Sequence, residues 1–268
     1  MLGPALLTKS IDMSIIALTG RIGSGKDTVA SIIQELYPEM NWQIKGFADK
    51  LRQVASIFIG IPPEELKKQE IKERALGVEW DYFLGKYESI ETPHIFSSAT
   101  KHTSLESCKS FDANGSVKCI AAGHHQMTVR QFLQELGTDA IRNGLHPNSW
   151  VNALMCDYKV DSNVLIFHGA SGPYPKELGT CKYPNWLITD CRFQNEYDAI
   201  VQKEGTCVRI VRPDNPYPHS NHISETALDG VELLTIINDG NLDQLGIKVK
   251  EVFDPIVHRI CSGDTGKP

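Results

Sequence analysis

The sequence predicts an α/β fold in which a parallel sheet is flanked by helices, and three observations carry that expectation. A glycine-rich run, Gly20-Arg-Ile-Gly-Ser-Gly25-Lys26-Asp27-Thr28, stands between the apolar stretch Ser14–Thr19 and a segment with helical periodicity. Short apolar runs then alternate with amphipathic stretches along most of the chain. One of those runs, Trp186–Thr189, ends on an acid, Asp190. Alternation of this kind implies parallel pairing, with ligands gathered at the carboxyl ends of the strands.

The glycine-rich run reads as a phosphate-binding P-loop, which narrows the fold class to a P-loop NTPase. Glycines at both ends let the backbone fold around an anion with its N–H groups pointing inward, and the following helix adds the positive end of its dipole. Gly20, Gly23, Ser24 and Gly25 would form the cradle, and Lys26 would reach the β- and γ-phosphates of a nucleotide. The pattern departs from the common one after the lysine, because Asp27 stands where Ser or Thr is usual and Thr28 follows one place late. Either Asp27 or Thr28 is therefore expected to hold Mg²⁺. The helix is independent of the motif: Val29, Ile32, Ile33 and Leu36 recur at i, i+3, i+4 and i+7, and Pro38 ends the segment.

Residues 42–47 form a second short strand, and a helix with Asp49 near its start follows from Ala48. Residues 64–74 are charged and helical in composition. Residues 88–125 show little periodicity and read as an insertion or loop. An amphipathic helix runs from Val129 to Ile141, with Val129, Phe132, Leu133, Leu136 and Ala140 on one face and Thr128 as its N-cap. Residues 149–157 are a further helix, and 159–184 a turn-rich insertion. Strands follow at 186–189, 207–211 and 234–238, and a last helix spans about Leu242 to Ile260. One domain over residues 13–268 is expected, preceded by a disordered extension, 1–12.

At 268 residues and 41% hydrophobic, the chain can bury a sizeable core. A net charge of −6 excludes broad, non-specific binding of polymeric nucleic acid, but a mononucleotide needs only a local cluster of cations. No stretch reaches the apolar length of a membrane span and no signal peptide is evident, so a cytoplasmic protein is expected. Seven scattered cysteines, odd in number, are expected as reduced thiols. Cys108, Cys119, His124 and His125 lack the spacing of a zinc knuckle. A homodimer is compatible with all of this.

Phosphoryl transfer needs cations around two sets of phosphates, since the charge on the equatorial oxygens must be held while donor and acceptor are aligned. Arg52, Arg130, Arg142 and Arg192 are the candidates. Arg130 and Arg142 lie more than three helical turns apart, too far to share one phosphate along a straight helix. Asp190 follows an apolar strand, where an acid can sit near Mg²⁺ or the transferring group; the alternative makes it the N-cap of a helix near Gln194. Asn238-Asp-Gly240-Asn241 could receive a purine base or form a capped turn. His219–Glu225 could bind substrate or order a loop.

Several segments together resemble the deoxynucleoside monophosphate kinases of bacteriophages. They are Gly20–Thr28 with its Gly-Lys-Asp-Thr ending, Phe47-Ala-Asp-Lys-Leu-Arg52, Val129–Arg142 with Leu-Gln-x-x-Gly-Thr, Trp150, Thr189-Asp-Cys-Arg-Phe-Gln-Asn-Glu196, His222-Ile-Ser-Glu225 and Asn238-Asp-Gly240. They occur in order over most of the chain. The resemblance implies a nucleoside-monophosphate-kinase-like fold with insertions. It also implies transfer of the γ-phosphate of ATP to a deoxynucleoside 5′-monophosphate, with Mg²⁺. By the same resemblance, Gly20, Gly23, Ser24, Gly25, Lys26, Asp27, Thr28, Asn238 and Gly240 serve ATP and the metal. Phe47, Asp49, Lys50, Arg52, Arg130 and Trp150 lie toward the monophosphate, and Lys26, Asp190, Arg192 and Arg142 toward the transferring group. Another small-molecule kinase of this fold, such as a phosphomevalonate or dephospho-coenzyme A kinase, differs in acceptor alone. A nucleotide-dependent switch that transfers nothing is the rival of a different class.

Overall fold

The structure is a computed structural model that describes residues 14–89, 100–109, 117–159, 183–215 and 226–262. The expected extension 1–12, most of the insertion 159–184 and the His219–Glu225 segment lie outside the described residues. The elements in chain order are β1 (Ile15–Thr19), α1 (Lys26–Leu36), β2 (Gln43–Lys45), α2 (Phe47–Ile59), α3 (Gln69–Lys72), β3 (Tyr82–Ser89), β4 (Thr100–His102), α4 (Leu105–Lys109), β5 (Val117–His125), α5 (Val129–Gln134), α6 (Ser149–Met155), β6 (Trp186–Ile188), α7 (Gln194–Val201), β7 (Thr206–Val211), β8 (Leu234–Ile237) and α8 (Leu242–Ser262). The packing divides the chain into two compact units, 1–50 with 148–268, and 51–147.

The first unit is built on the parallel sheet that strand–helix alternation predicts. Its strand order is β2-β6-β1-β7-β8, and every pair is parallel. The central strand reads as an unbroken apolar run because both of its faces are covered. Ile16 and Leu18 join Leu187, Val208 and Ile210 against α1 and α8, through Val29, Ile33, Val249 and Phe253. Ile15 and Ala17 join Trp186, Ile188 and Cys207 on the opposite face, against Val151, Leu154 and Ile200 of α6 and α7. Each fully buried side chain of this size contributes about 1.5–3 kcal/mol relative to exposure.

A polar node closes the sheet at the amino ends of its strands. The Ser14 hydroxyl donates to Oδ1 of buried Asn185, whose Nδ2 donates to the Met40 carbonyl. The backbone carbonyl of Asn185 accepts from Gln43 N at 2.9 Å. Beside it, Ser14 N donates to the Tyr158 hydroxyl at 3.0 Å, and burial pushes that phenol up to about 12. Asn185→Ala leaves a hydroxyl and a carbonyl unpaired in a dry site, and we expect it to lower stability by about 2–3 kcal/mol. A lower urea midpoint at unchanged slope is the expected result; an unchanged midpoint refutes it.

The second unit holds an antiparallel sheet of order β4-β3-β5. Residues 88–125, which show little periodicity in the sequence, thus contribute β4, α4 and β5 among the described residues. The adjoining core groups Ala55, Ile61, Leu66 and Val129, with Phe132, Leu133 and Leu136 packed against it. Thr128 caps α5 as expected, its Oγ1 accepting from Gln131 N at 3.2 Å. The helix does not continue in α form: Glu135–Asn143 is a π-helical stretch whose hydrogen bonds close over five residues. Gly137 lies in it, where an added Cβ would meet Leu51 Cδ2 at 2.8 Å.

Among the described residues four cysteines are free thiols. Cys191 and Cys207 are buried together, while Cys156 and Cys261 are exposed. The Cys207 side chain beside it and burial both push the Cys191 thiol well up, so the reactive thiolate is scarce there. Brief alkylation of the native protein should therefore label Cys156 and Cys261 and leave Cys191 and Cys207 until denaturant is added. Peptide mass spectrometry checks this, and rapid native labelling of Cys191 would refute it.

Candidate active site

The loop between β1 and α1 has the geometry that its glycines allow and that other residues do not. Gly20, Gly23 and Gly25 have φ of 143°, 75° and 97°, in the region that L side chains avoid. Space is as restrictive as torsion. A Cβ on Gly20 would lie 2.3 Å from the Ile210 carbonyl oxygen of β7, and one on Gly25 would lie 2.6 Å from Nδ2 of Asn238. The loop is closed by Ser24 N donating to Arg21 O at 3.1 Å, and α1 begins as Val29 N donates to Gly25 O at 2.9 Å. Lys26 folds over the loop, with Nζ donating to the carbonyls of Gly20 and Arg21 at 2.6 and 2.8 Å. Asp27 and Thr28 are exposed on the first turn of α1.

Asn238 and Gly240 have structural contacts of their own. The Asn238 side chain donates to Ser24 O at 3.0 Å, tying the end of β8 to the loop. At the start of α8, Asn241 Oδ1 accepts from Gln244 N and Gln244 Oε1 accepts from Asn241 N, a reciprocal cap. A Cβ at Gly240 would strike that Gln244 oxygen at 2.2 Å. The capped-turn reading of this segment is the one that the contacts display.

Asp190 is placed by contacts far from it in sequence. Its Oδ1 accepts from Phe47 N at 2.8 Å and its Oδ2 from Ala48 N at 3.0 Å, so the carboxylate covers the first N–H groups of α2. The close approach needs Gly46, where a Cβ would meet the carboxylate at 2.9 Å. Asp190 is thus not the cap of α7, the alternative raised from sequence. That terminus is served by buried Glu196, whose Oε2 accepts from Arg192 N and Phe193 N at 2.7 and 3.1 Å. Asn195 links the same turn to Asn148, at 2.8 Å.

Four residues expected toward the substrate lie in this unit. Phe47, expected toward the monophosphate, is 3% exposed and packs within the core of this unit. Trp150 is also buried, at 7%. Lys50 pairs with Asp157 at 2.6 Å. Asp49 lies on the first turn of α2, half-buried. Arg52, Arg130 and Arg142 belong to the second unit. There Arg130 donates through Nε and Nη2 to Glu73, at 2.9 and 2.6 Å, and Arg142 lies in the π-helical stretch.

A cavity of about 320 Å³ opens beside the loop at the carboxyl ends of β1 and β7, lined by Thr19, Gly20 and Ser24 and by Arg21, Arg192, Arg209 and Arg212. Arg192, expected toward the transferring group, lines this cavity. Arg21, Arg209 and Arg212 were not singled out there, although two of them flank the end of β7, where a parallel sheet gathers its ligands. Among the described residues no three His, Cys, Asp or Glu side chains cluster as a metal site. Oxygen donors on the first turn of α1 still suit Mg²⁺, which takes one or two protein oxygens and completes its shell with phosphates and water.

Comparison with known proteins decides the family. The model of the deoxynucleotide monophosphate kinase family matches residues 82–249. The chain belongs to the deoxynucleotide monophosphate kinase family. The deoxynucleotide monophosphate kinase of Enterobacteria phage T4 is 29% identical over 258 residues, 90% of this chain and 99% of its own length. The deoxynucleoside-5′-monophosphate kinase of Escherichia phage T5 is 24% identical, over 80% of this kinase and 84% of the relative. The deoxynucleotide monophosphate kinase of Escherichia phage RB69 is 23% identical, over 90% of this kinase and all of the relative. Membership agrees with the parallel sheet and the phosphate loop. No helix of the kinase among the described residues is long and apolar enough to cross a membrane.

Proposed function

We infer that this protein is an ATP-dependent deoxynucleoside monophosphate kinase. The observation that carries the reading is the glycine-strained loop between β1 and α1, with Lys26 folded over it and an arginine-lined cavity at its side, in a chain of this family. A 5′-phosphate oxygen of the acceptor attacks the γ-phosphorus of ATP, the bond to the β–γ bridging oxygen breaks, and dNDP and ADP leave. Lys26 turns from the loop carbonyls to the phosphates, where its charge counts most as negative charge moves to the leaving oxygen.

We assign Mg²⁺ to Asp27 or Thr28; when bound it neutralises charge on the phosphates. Arg192 stabilises the transferring group, and Asp190 holds the start of α2 in register with β6. Asp49, Arg52, Arg130 and Arg142 are proposed for the acceptor on the strength of the resemblance. ATP and a deoxynucleotide are the partners proposed, in the cytoplasm.

The test is ATP consumption with Mg²⁺ against the four deoxynucleoside monophosphates, their ribose counterparts and phosphomevalonate, with products separated by chromatography. Diphosphate formation from at least one deoxynucleotide is expected. ATP loss without a phosphorylated acceptor, or phosphorylation of phosphomevalonate alone, overturns the assignment.

A further inference from the structure

Among the described residues, the wall of the cavity beside the loop carries four arginines and a single carboxylate, Asp229. That carboxylate is held in place. Asp229 N donates to Thr226 O and Val231 N to Leu228 O, both at 3.0 Å, which folds a tight turn around it. From β7, Arg209 Nη2 donates to Leu228 O at 2.5 Å and to Val231 O at 2.9 Å, so the turn is pinned on both sides of Asp229. The carboxylate so presented lies 3.3 Å from Nη2 of Arg21, the residue that follows Gly20 in the loop. Next to it, Asn215 donates to Ile22 O at 2.7 Å.

We propose that Arg21 is a polyphosphate-contacting residue and that Asp229, positioned by Arg209, is a built-in competitor for it that sets how tightly ATP is held. The proposal rests on the reading of the loop as the ATP site. Magnitudes decide which anion wins. The two side chains are 36% and 55% exposed, and an ion pair that open to solvent shifts an equilibrium by only about two- to fivefold. A guanidinium on a phosphate is a charge-assisted contact worth roughly tenfold or more. A triphosphate therefore takes Arg21 from Asp229, and its affinity is lower by the few-fold needed to break the pair. Arg212, which forms no ion pair or hydrogen bond among the described residues, adds to the field that draws the anion in.

Calorimetric titration with ATP and with AMP, without acceptor, tests this on the full chain. Asp229→Asn is expected to tighten ATP about two- to fivefold and to leave AMP little changed, and Asp229→Glu to keep the wild-type value. Arg21→Gln should weaken ATP by about tenfold, and in that background Asp229→Asn should have no further effect. Unchanged or weaker ATP binding by a folded Asp229→Asn variant overturns the proposal, as does an equal gain in the Arg21→Gln background. A parallel assay of deoxynucleotide phosphorylation separates this from the functional reading. Normal phosphorylation with flat ATP affinities removes the competitor alone, whereas the affinity pattern without phosphorylation removes the acceptor assignment alone.

Discussion

Lys26→Ala should lower kcat by about 10²–10³-fold, equivalent to roughly 3–4 kcal/mol of transition-state stabilisation, while the protein stays folded. The reasoning starts from what Nζ touches. Its partners include two loop carbonyls, Gly20 O and Arg21 O. Loss of the side chain therefore removes a mobile cation from beside the phosphates and leaves the sheet as it was. Lys26→Arg should restore little, because a planar guanidinium cannot take the place of a compact ammonium in a loop shaped for one. Steady-state kinetics with urea unfolding as a control checks both. Near-wild-type turnover in a folded Lys26→Ala protein would sink the assignment of the loop.

Asp190→Ala should be the most destabilising single change at the site, at about 2–4 kcal/mol. Two backbone N–H groups at the start of α2 lose a charged acceptor together, and each such bond is worth about 1.5–3 kcal/mol net of its exchange with water when buried. Half-burial of the carboxylate admits some of that water, hence a figure below the simple sum. Asp190→Asn keeps one acceptor oxygen and should fall between. The measurement is the urea midpoint of the three proteins. A wild-type midpoint for Asp190→Ala would show that the contact with α2 contributes nothing, and would return Asp190 to a purely chemical role.

What the sequence made legible was local. The loop, the helix after it, the cap at Thr128 and the apolar strands all rest on neighbours within a few residues, where periodicity and turn chemistry act directly. The apolar run of β1 was visible as such, and the structure shows it buried on both faces, in two core clusters. Asp190 was found as a residue, but its partners are not local, since Phe47 lies 143 positions away. No spacing rule links them. Phe47 and Trp150 were placed toward the monophosphate by the resemblance, and their burial is set by the folded core, which no local pattern reports. The antiparallel strands within 88–125 were missed because pairing of β3 with β5 depends on a distant partner and not on alternation along one strand. Arg21 and Arg212 became candidates only when the fold brought β1 and β7 side by side.

The strand order has a consequence for biosynthesis. β1 sits at the middle of its sheet, yet both of its neighbours, β6 and β7, come from the far end of the chain. At about 5–20 residues per second, a ribosome that has released Thr19 needs roughly ten to thirty seconds to release Trp186. Throughout that interval Ile15–Leu18 and the apolar face of α1 are in the nascent chain without the strands that cover them. The stretch from Leu51 to Pro147 is contiguous and can gather its own contacts first. Expression at lower temperature or with added holdase chaperones should therefore raise soluble yield more than changes at the surface of the finished protein.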